Sequence, residues 1–332
     1  MSRFNYPVCC SKLLYLLTIL LGLVCQPVAG ETSPESARSL LKQMSEASRT
    51  LNYDGIFIYQ RGGSTNTLRL IHKAGPDGGA ERLVSLTGAA REVIRDREEV
   101  TCFFPDDQAV MVERSKPREL FATQLPRIMD KLLDNYHIQI NGSDRVAGRN
   151  AWVVGIKPRD AFRYGYQFWI DKDNTLLLKS ELRNRTGLLI EQIMFTQISV
   201  LDEVPGELLQ PSISGKGYTW HNNSDKDNKI GLPHDGWQVG WMPNGFTKNN
   251  QETVPGARGN SQVKHLIYSD GLAMVSIFIE KLDTSRGLST GLSRMGGVNA
   301  YARVANGYQV TAVGEVPQAT VQRMANSVSM EQ

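Results

Sequence analysis

Short segments in which apolar and polar residues alternate follow one another along most of the chain, and this pattern constrains the fold more than any other feature. They are separated by clusters of Gly, Pro, Asn and Asp, which favour tight turns. Alternation with a period of two is typical of half-buried strands joined by hairpins. The sequence therefore predicts a β-rich protein with antiparallel strands. We predict them at 53–60, 67–74, 81–87, 90–95, 99–104, 109–113, 137–146, 150–157, 164–171, 175–183, 188–200, 237–242, 246–252, 261–269, 272–282, 298–305 and 308–316.

Three segments have helical rather than strand-like spacing of their apolar residues. They are residues 34–49, 124–134 and 317–329, each with a proline at or near its start, where proline is well tolerated. The first two accompany the longer run of strands. We therefore predict a large curved antiparallel sheet with two helices, followed by a smaller α+β domain.

The strand at 164–171 has one face that is much richer in aromatic side chains than the other. Tyr164, Tyr166, Phe168 and Ile170 share this face because alternate residues point to the same side of a strand. Such a sheet has more concave apolar surface than two helices can easily cover. A partly open barrel lined in this way is a suitable site for an acyl chain or another apolar segment.

The N-terminus resembles a secretory signal. Arg3 and Lys12 flank an uncharged apolar run that is too short to span a bilayer, and small residues precede Glu31. We expect residues 1–30 to be removed before Glu31. A lipoprotein signal at Cys25 is the alternative, although Val24 stands where a small residue is preferred.

Removal of the signal leaves a nearly neutral chain with one cysteine. The net charge falls from +3 to +1, which argues against the broad cationic field of a nucleic-acid-binding protein. Cys102 alone remains, so no internal disulfide can form. It is either a reactive thiol or a small buried apolar group beside Phe103 and Phe104.

The composition changes between the two predicted folded regions. Residues 202–235 are rich in Pro, Gly, Asn and Asp and are predicted to form a linker. We therefore expect a signal peptide at 1–30, an open-barrel domain at 31–201 and a small C-terminal domain at 236–332.

Sequence motifs of common enzymes and metal sites are not found. There is no GxSxG, HExxH, CxxC or phosphate-binding loop, and the five histidines are dispersed. We expect no enzyme activity, no cofactor and no metal, although a catalytic triad assembled only by the fold stays open.

Five segments together resemble one known family. It is the RseB/MucB type of periplasmic regulator of an envelope-stress sigma factor, and the resemblance covers essentially the whole mature chain in order. The segments are YDGIFIYQRGG (53–63), DRVAGRNAWVVGIKPRDAFRYGYQFWIDKDNTLLLKSEL (144–182), GWMPNGF (240–246), YSDGLAMVSIFIE (268–280) and VTAVGEVPQATVQRMANSV (310–328).

The resemblance implies both a fold and a function. It implies that the N-terminal domain has the unclosed barrel of lipoprotein carriers. It also implies that the protein binds the periplasmic part of a single-pass anti-sigma factor of the RseA/MucA type and shields it from regulated proteolysis. Lipopolysaccharide or another lipid is expected to loosen this complex. Self-association is left open.

Two sets of residues are candidates for these contacts. Phe57, Tyr59, Tyr166 and Phe168 are predicted to line the lipid cavity, with ordinary core packing as the alternative. Partner contacts are predicted at Arg149, Lys157, Arg159, Arg163, Trp241, Phe246 and Tyr268. The basic members of that set are alternatively a solvated rim, and the aromatic members are alternatively core residues.

A periplasmic lipid or lipoprotein carrier is the main competing function, because it would use the same open barrel. The extra C-terminal domain disfavours it. A periplasmic hydrolase is a third hypothesis, which the missing motifs weaken.

Overall fold

The alternating segments of the first two thirds of the chain pair into one twelve-stranded sheet. A computed structural model describes residues 34–75, 79–114, 132–222, 236–255, 262–282 and 290–330. The strands of this sheet are β1 (Asn52–Arg61), β2 (Ser64–Lys73), β3 (Ala80–Ser85), β4 (Glu92–Arg95), β5 (Glu99–Phe104), β6 (Ala109–Arg114), β7 (Tyr136–Val146), β8 (Arg149–Pro158), β9 (Gly165–Asp171), β10 (Leu177–Arg183), β11 (Leu189–Leu201) and β12 (Thr219–Asn222).

The order of the strands leaves the sheet unclosed. It runs β12-β6-β5-β4-β3-β2-β1-β11-β10-β9-β8-β7, so β12 and β7 lie at opposite edges. Every pair is antiparallel except β12 with β6. The predicted unclosed antiparallel barrel is confirmed.

Helix α1 (Pro34–Thr50) packs its apolar face on this sheet. Its residues Ala37, Leu41 and Met44 are fully buried and join a cluster that contains Phe168 of β9. The predicted first helix is therefore confirmed. Of the predicted helix at 124–134, the part up to residue 131 lies outside the described residues, and residues 132–135 are helical.

The first half of the predicted linker packs on the large sheet. Residues Gly206–Leu209 form a short 3-10 helix, and β12 then pairs with β6. Buried Glu92 secures this segment, since it accepts hydrogen bonds from the Ser212 backbone N–H at 3.1 Å and hydroxyl at 2.9 Å. Residues 223–235 lie outside the described residues. The predicted domain boundaries stay predictions.

The C-terminal region forms a second sheet covered by a helix. The six strands lie in the order β14-β15-β16-β19-β18-β17, and helix α2 packs on β18 and β19. This arrangement confirms the smaller α+β region. Its elements are β13 (Trp237–Val239), β14 (Thr247–Pro255), β15 (Gln262–Ser269), β16 (Met274–Lys281), β17 (Gly291–Met295), β18 (Val298–Ala305), β19 (Tyr308–Gly314), α2 (Gln318–Asn326) and β20 (Val328–Met330).

The last predicted helix is shorter than expected. It ends at Asn326, and β20 pairs with β13 instead of continuing the helix to residue 329. The Ser327 hydroxyl donates to the Met324 carbonyl at 2.8 Å, and such side-chain bonds compete with helical backbone bonds. Strand β17 was also not predicted.

No helix among the described residues is both long enough and apolar enough to span a membrane. The predicted signal peptide lies outside the described residues. From Ser33 onward the chain forms one compact unit, so the two sheets pack together.

Candidate functional site

A largely apolar cavity of about 470 Å³ lies on the inner face of the large sheet. Side chains from β1, β9, β10 and β11 form most of its wall. Its volume falls within the range of about 300–1,000 Å³ that is usual for small-molecule sites. Ile193 contributes to the wall and is 42% exposed, so part of this apolar surface is open to solvent.

The pairing of β1 with β11 builds the aromatic part of the wall. The register shifts at Ile56/Phe57, which brings Phe57 opposite Phe195, and their rings meet edge to face at 5.6 Å. Gly55 makes room for this arrangement, because a Cβ atom there would lie 2.6 Å from the Phe195 ring. A side chain at position 55 would therefore force the Phe195 ring to move.

The structure brings all four predicted cavity residues to one wall. Phe57, Tyr59, Tyr166 and Phe168 line the cavity. Phe57 and Phe168 are also buried in hydrophobic clusters, so these two residues both line the cavity and pack in the core. Their role in lipid binding stays a prediction.

Two carboxylates that were not predicted complete one end of the cavity. Tyr59 donates a hydrogen bond to Glu191 Oε2 at 2.8 Å, and Tyr166 donates one to Glu315 Oε1 at 2.9 Å. Gly297 lies between the acids: a Cβ atom there would be 3.3 Å from Glu191 Oε1 and 3.2 Å from Glu315 Cγ. We call this region the carboxylate end.

Burial dominates the electrostatics of the carboxylate end. It raises the pKa of Glu315 above the usual value of a glutamate, while the hydrogen bond from Tyr166 lowers it in part and the charge of Glu191 raises it further. Burial also raises the pKa of Tyr166 well above that of an exposed tyrosine. Arg61 approaches Glu191 at 3.7 Å, which partly balances the negative charge.

The sequence contained a signal for one of these acids only. Glu191 alternates with Leu189, Ile193 and Phe195 along β11, so it interrupts an otherwise apolar face of the strand. No comparable pattern marks Glu315, which reaches Tyr166 across 149 residues of sequence through the packing of the two sheets. Together with Leu272 it adds the C-terminal region to the cavity wall.

The structure separates the predicted basic contact residues. Lys157 and Arg159 are exposed near the end of β8. Arg149 pairs with the buried carboxylate of Asp171. Arg163 is buried and forms an ion pair with Asp270, which also accepts a hydrogen bond from Tyr136 at 3.0 Å.

The predicted aromatic contact residues lie in or against the C-terminal core. Phe246 and Tyr268 are buried there. Trp241 is half-buried, with the Arg323 guanidinium 4.0 Å from its ring and the Phe162 ring 4.9 Å away. This placement agrees with the alternative of core packing, and partner contact stays a prediction for all seven residues.

Within the described ranges, no group of three or more His, Cys, Asp or Glu side chains could hold a metal ion. Cys102 is half-buried on β5 and is not part of a disulfide.

Comparison with known proteins gives matches over nearly the whole chain. The family models described as the MucB/RseB N-terminal domain and the MucB/RseB C-terminal domain match residues 36–213 and 232–329. The sigma factor AlgU regulatory protein MucB of Pseudomonas aeruginosa is 31% identical, with 95% of this chain and 97% of the relative covered. The sigma-E factor regulatory protein RseB of Haemophilus influenzae is 28% identical, with 88% and 91% covered.

Solved structures of relatives share the fold. A Pseudomonas aeruginosa MucA/MucB complex contains a chain with a TM-score of 0.70 and 30% identity, covering 90% of this chain and 99% of that one. MucB in complex with MucA(peri) gives a TM-score of 0.69 at 30% identity, with 89% and 99% covered.

Proposed function

Because this chain belongs to the MucB/RseB family, we propose that it regulates a stress sigma factor by binding an anti-sigma factor. The partner is the periplasmic region of a single-pass inner-membrane protein of the RseA/MucA type. The observation that carries this proposal is the match across both regions of the chain to a relative whose solved structure holds MucA. We further propose a non-enzymatic role in the periplasm, with export directed by residues 1–30.

The bound regulator shields its partner from proteolysis and so keeps the sigma factor inactive. A lipid or lipopolysaccharide ligand releases the partner if it prefers the partner-free form. A 100-fold change in partner affinity requires about 2.7 kcal/mol of coupling. Burial of a few acyl methylenes at about 0.8 kcal/mol each supplies this amount, and the apolar cavity supports such a ligand.

The proposed binding of the anti-sigma factor, which we call the partner arm of the proposal, is tested with purified proteins. Residues 31–332 are titrated with the periplasmic region of the anti-sigma factor from the same genome, and binding is measured by calorimetry. We expect a saturable complex in which that region resists its activating protease. A folded chain that neither binds nor protects it would contradict the proposal.

The proposed release of the partner by a lipid, which we call the lipid arm of the proposal, is tested on the preformed complex. We expect lipopolysaccharide or a long-chain amphiphile to release the partner, whereas a short-chain analogue with the same head group does not. Lipid binding by a chain that never binds the anti-sigma factor would instead favour the alternative of a lipid or lipoprotein carrier.

A further inference from the structure

Glu315 has one carboxylate oxygen committed and one available. Its Oε1 accepts the hydrogen bond from Tyr166, whereas no described residue donates a hydrogen bond to its Oε2. Oε2 is not among the fully buried unpartnered polar atoms of the described residues, so it keeps some exposed surface. Glu315 lines the cavity, which makes this oxygen the candidate acceptor for a ligand.

The second acid of the carboxylate end is already occupied by the chain itself. Glu191 Oε1 accepts the Gly297 backbone N–H at 2.7 Å, and Oε2 accepts the Tyr59 hydroxyl. Arg61 Nε also lies 3.7 Å from Glu191 Oε1. Glu315 Oε2 is therefore the carboxylate oxygen at this end that receives no hydrogen bond from a described residue.

The carboxylate end of the cavity carries more negative than positive charge, because two acids, Glu191 and Glu315, lie there with one arginine, Arg61. Lys179 is the basic residue in the cavity wall, but its ammonium lies 2.7 Å from Glu181 and 4.1 Å from the Trp169 ring. Arg61 lies closer to Glu191, with which it pairs, and its charge acts more weakly on Glu315. An anionic head group placed there would face Glu315, which has no ion pair among the described residues, and this is costly in a partly buried site.

We propose that the cavity binds an acyl chain whose head group carries a protonated amine, with Glu315 Oε2 as the acceptor for that group. The apolar wall takes the chain, and the amine supplies the donor and the positive charge that this end lacks. This inference rests on the lipid arm of the proposed function and specifies the ligand of the same cavity. Phosphate groups of a larger lipid would remain outside the cavity.

The test compares probes that differ only in the head group. Decylamine, decanol and decanoate, each below its micelle concentration, compete with the apolar fluorophore N-phenylnaphthylamine for the protein near neutral pH. We expect decylamine to bind at least about tenfold more tightly than decanoate, as opposite and like charges a few ångströms away require. Decanol should lie between them.

Variants identify the group responsible. Glu315→Gln keeps an oxygen for Tyr166 and removes the charge, so the preference for decylamine over decanoate should disappear while decanol binding is maintained. Glu99→Gln is the matched control, because Glu99 is exposed on β5 and does not line the cavity. Thermal unfolding checks that both variants are folded.

The outcomes separate this inference from the proposed function. If the fluorophore binds but decanoate competes as well as decylamine, the head-group assignment is overturned and the lipid arm stands. A preference that survives in Glu315→Gln also overturns it. If neither the fluorophore nor any probe binds, both the lipid arm and this inference fail, whereas the partner arm is untouched.

Discussion

At the scale of single residues, Glu315 should make the stability of the protein depend on pH. Its raised pKa means that the folded chain holds this proton more tightly than the unfolded chain does. The contribution of Glu315 to the free energy of unfolding is therefore most favourable below the ordinary glutamate pKa. It declines as the pH rises through the folded value. We expect this decline in the free energy of unfolding, measured with urea between about pH 4 and 7, to be smaller in Glu315→Gln than in the wild type. Identical profiles would contradict this.

Arg163 should be the most costly of the seven predicted contact residues to replace. Its guanidinium and the Asp270 carboxylate are both fully buried, so Arg163→Met leaves a buried charge without its partner. We expect a loss of about 3–5 kcal/mol in the free energy of unfolding, measured with urea. The exposed Arg159→Met should change it by about 0.5 kcal/mol or less. The double variant Arg163→Met/Asp270→Leu should recover part of the loss.

The sequence predicts the positions of some site residues and not of others. The positions of Phe57 and Phe168 on the cavity wall follow from alternation along a strand, which is a local property. Arg163 had no such signal, because the buried carboxylate with which it pairs, that of Asp270, is 107 residues away in the sequence. An arginine in a polar loop therefore gave no indication that it is buried.

At the scale of elements, Glu92 should hold the segment from Gly206 to Asn222 on the large sheet. Its buried carboxylate binds Ser212 and Arg82, and Arg82 donates in turn to the Leu208 carbonyl at 3.0 Å. Glu92→Gln weakens these charge-assisted bonds. We expect faster hydrogen exchange of the β12 amides, measured by mass spectrometry.

The control for this prediction is Glu113→Gln, an exposed position on β6, which pairs directly with β12. It should leave β12 exchange unchanged. Unaltered exchange in Glu92→Gln, or equal acceleration in both variants, would show that Glu92 does not secure the segment.

Three strands, β12, β17 and β20, were not predicted from the sequence, and the physical reason is the same for each. Every residue of β12 and β17 is exposed, and β20 has three residues of which one is buried. A strand without a buried face has no alternation to detect. By contrast β1, with buried residues at every second position over much of its length, was predicted to within one residue at each end.

At the scale of the whole molecule, ligand and partner should act on each other reciprocally. The cavity wall includes Leu272 and Glu315, so the C-terminal region takes part in forming the ligand site. If a ligand weakens partner binding by some factor, the partner must weaken ligand binding by the same factor. Titration of decylamine into the free protein and into the partner complex gives the factor by which the partner weakens decylamine binding. It should equal the factor by which decylamine weakens partner binding. Ligand affinity that is independent of the partner would contradict the linked mechanism.

The sequence by itself determined the strand-rich composition of both regions, the first helix, the aromatic faces and the resemblance to the MucB/RseB family. These are local patterns, or are spread over the chain in a fixed order. Only the tertiary structure decided that Arg163 is buried against Asp270, that the predicted linker adds a strand, and that Glu315 faces the cavity. Each of these depends on residues distant in sequence, and their burial and charge balance arise only when the two sheets pack together.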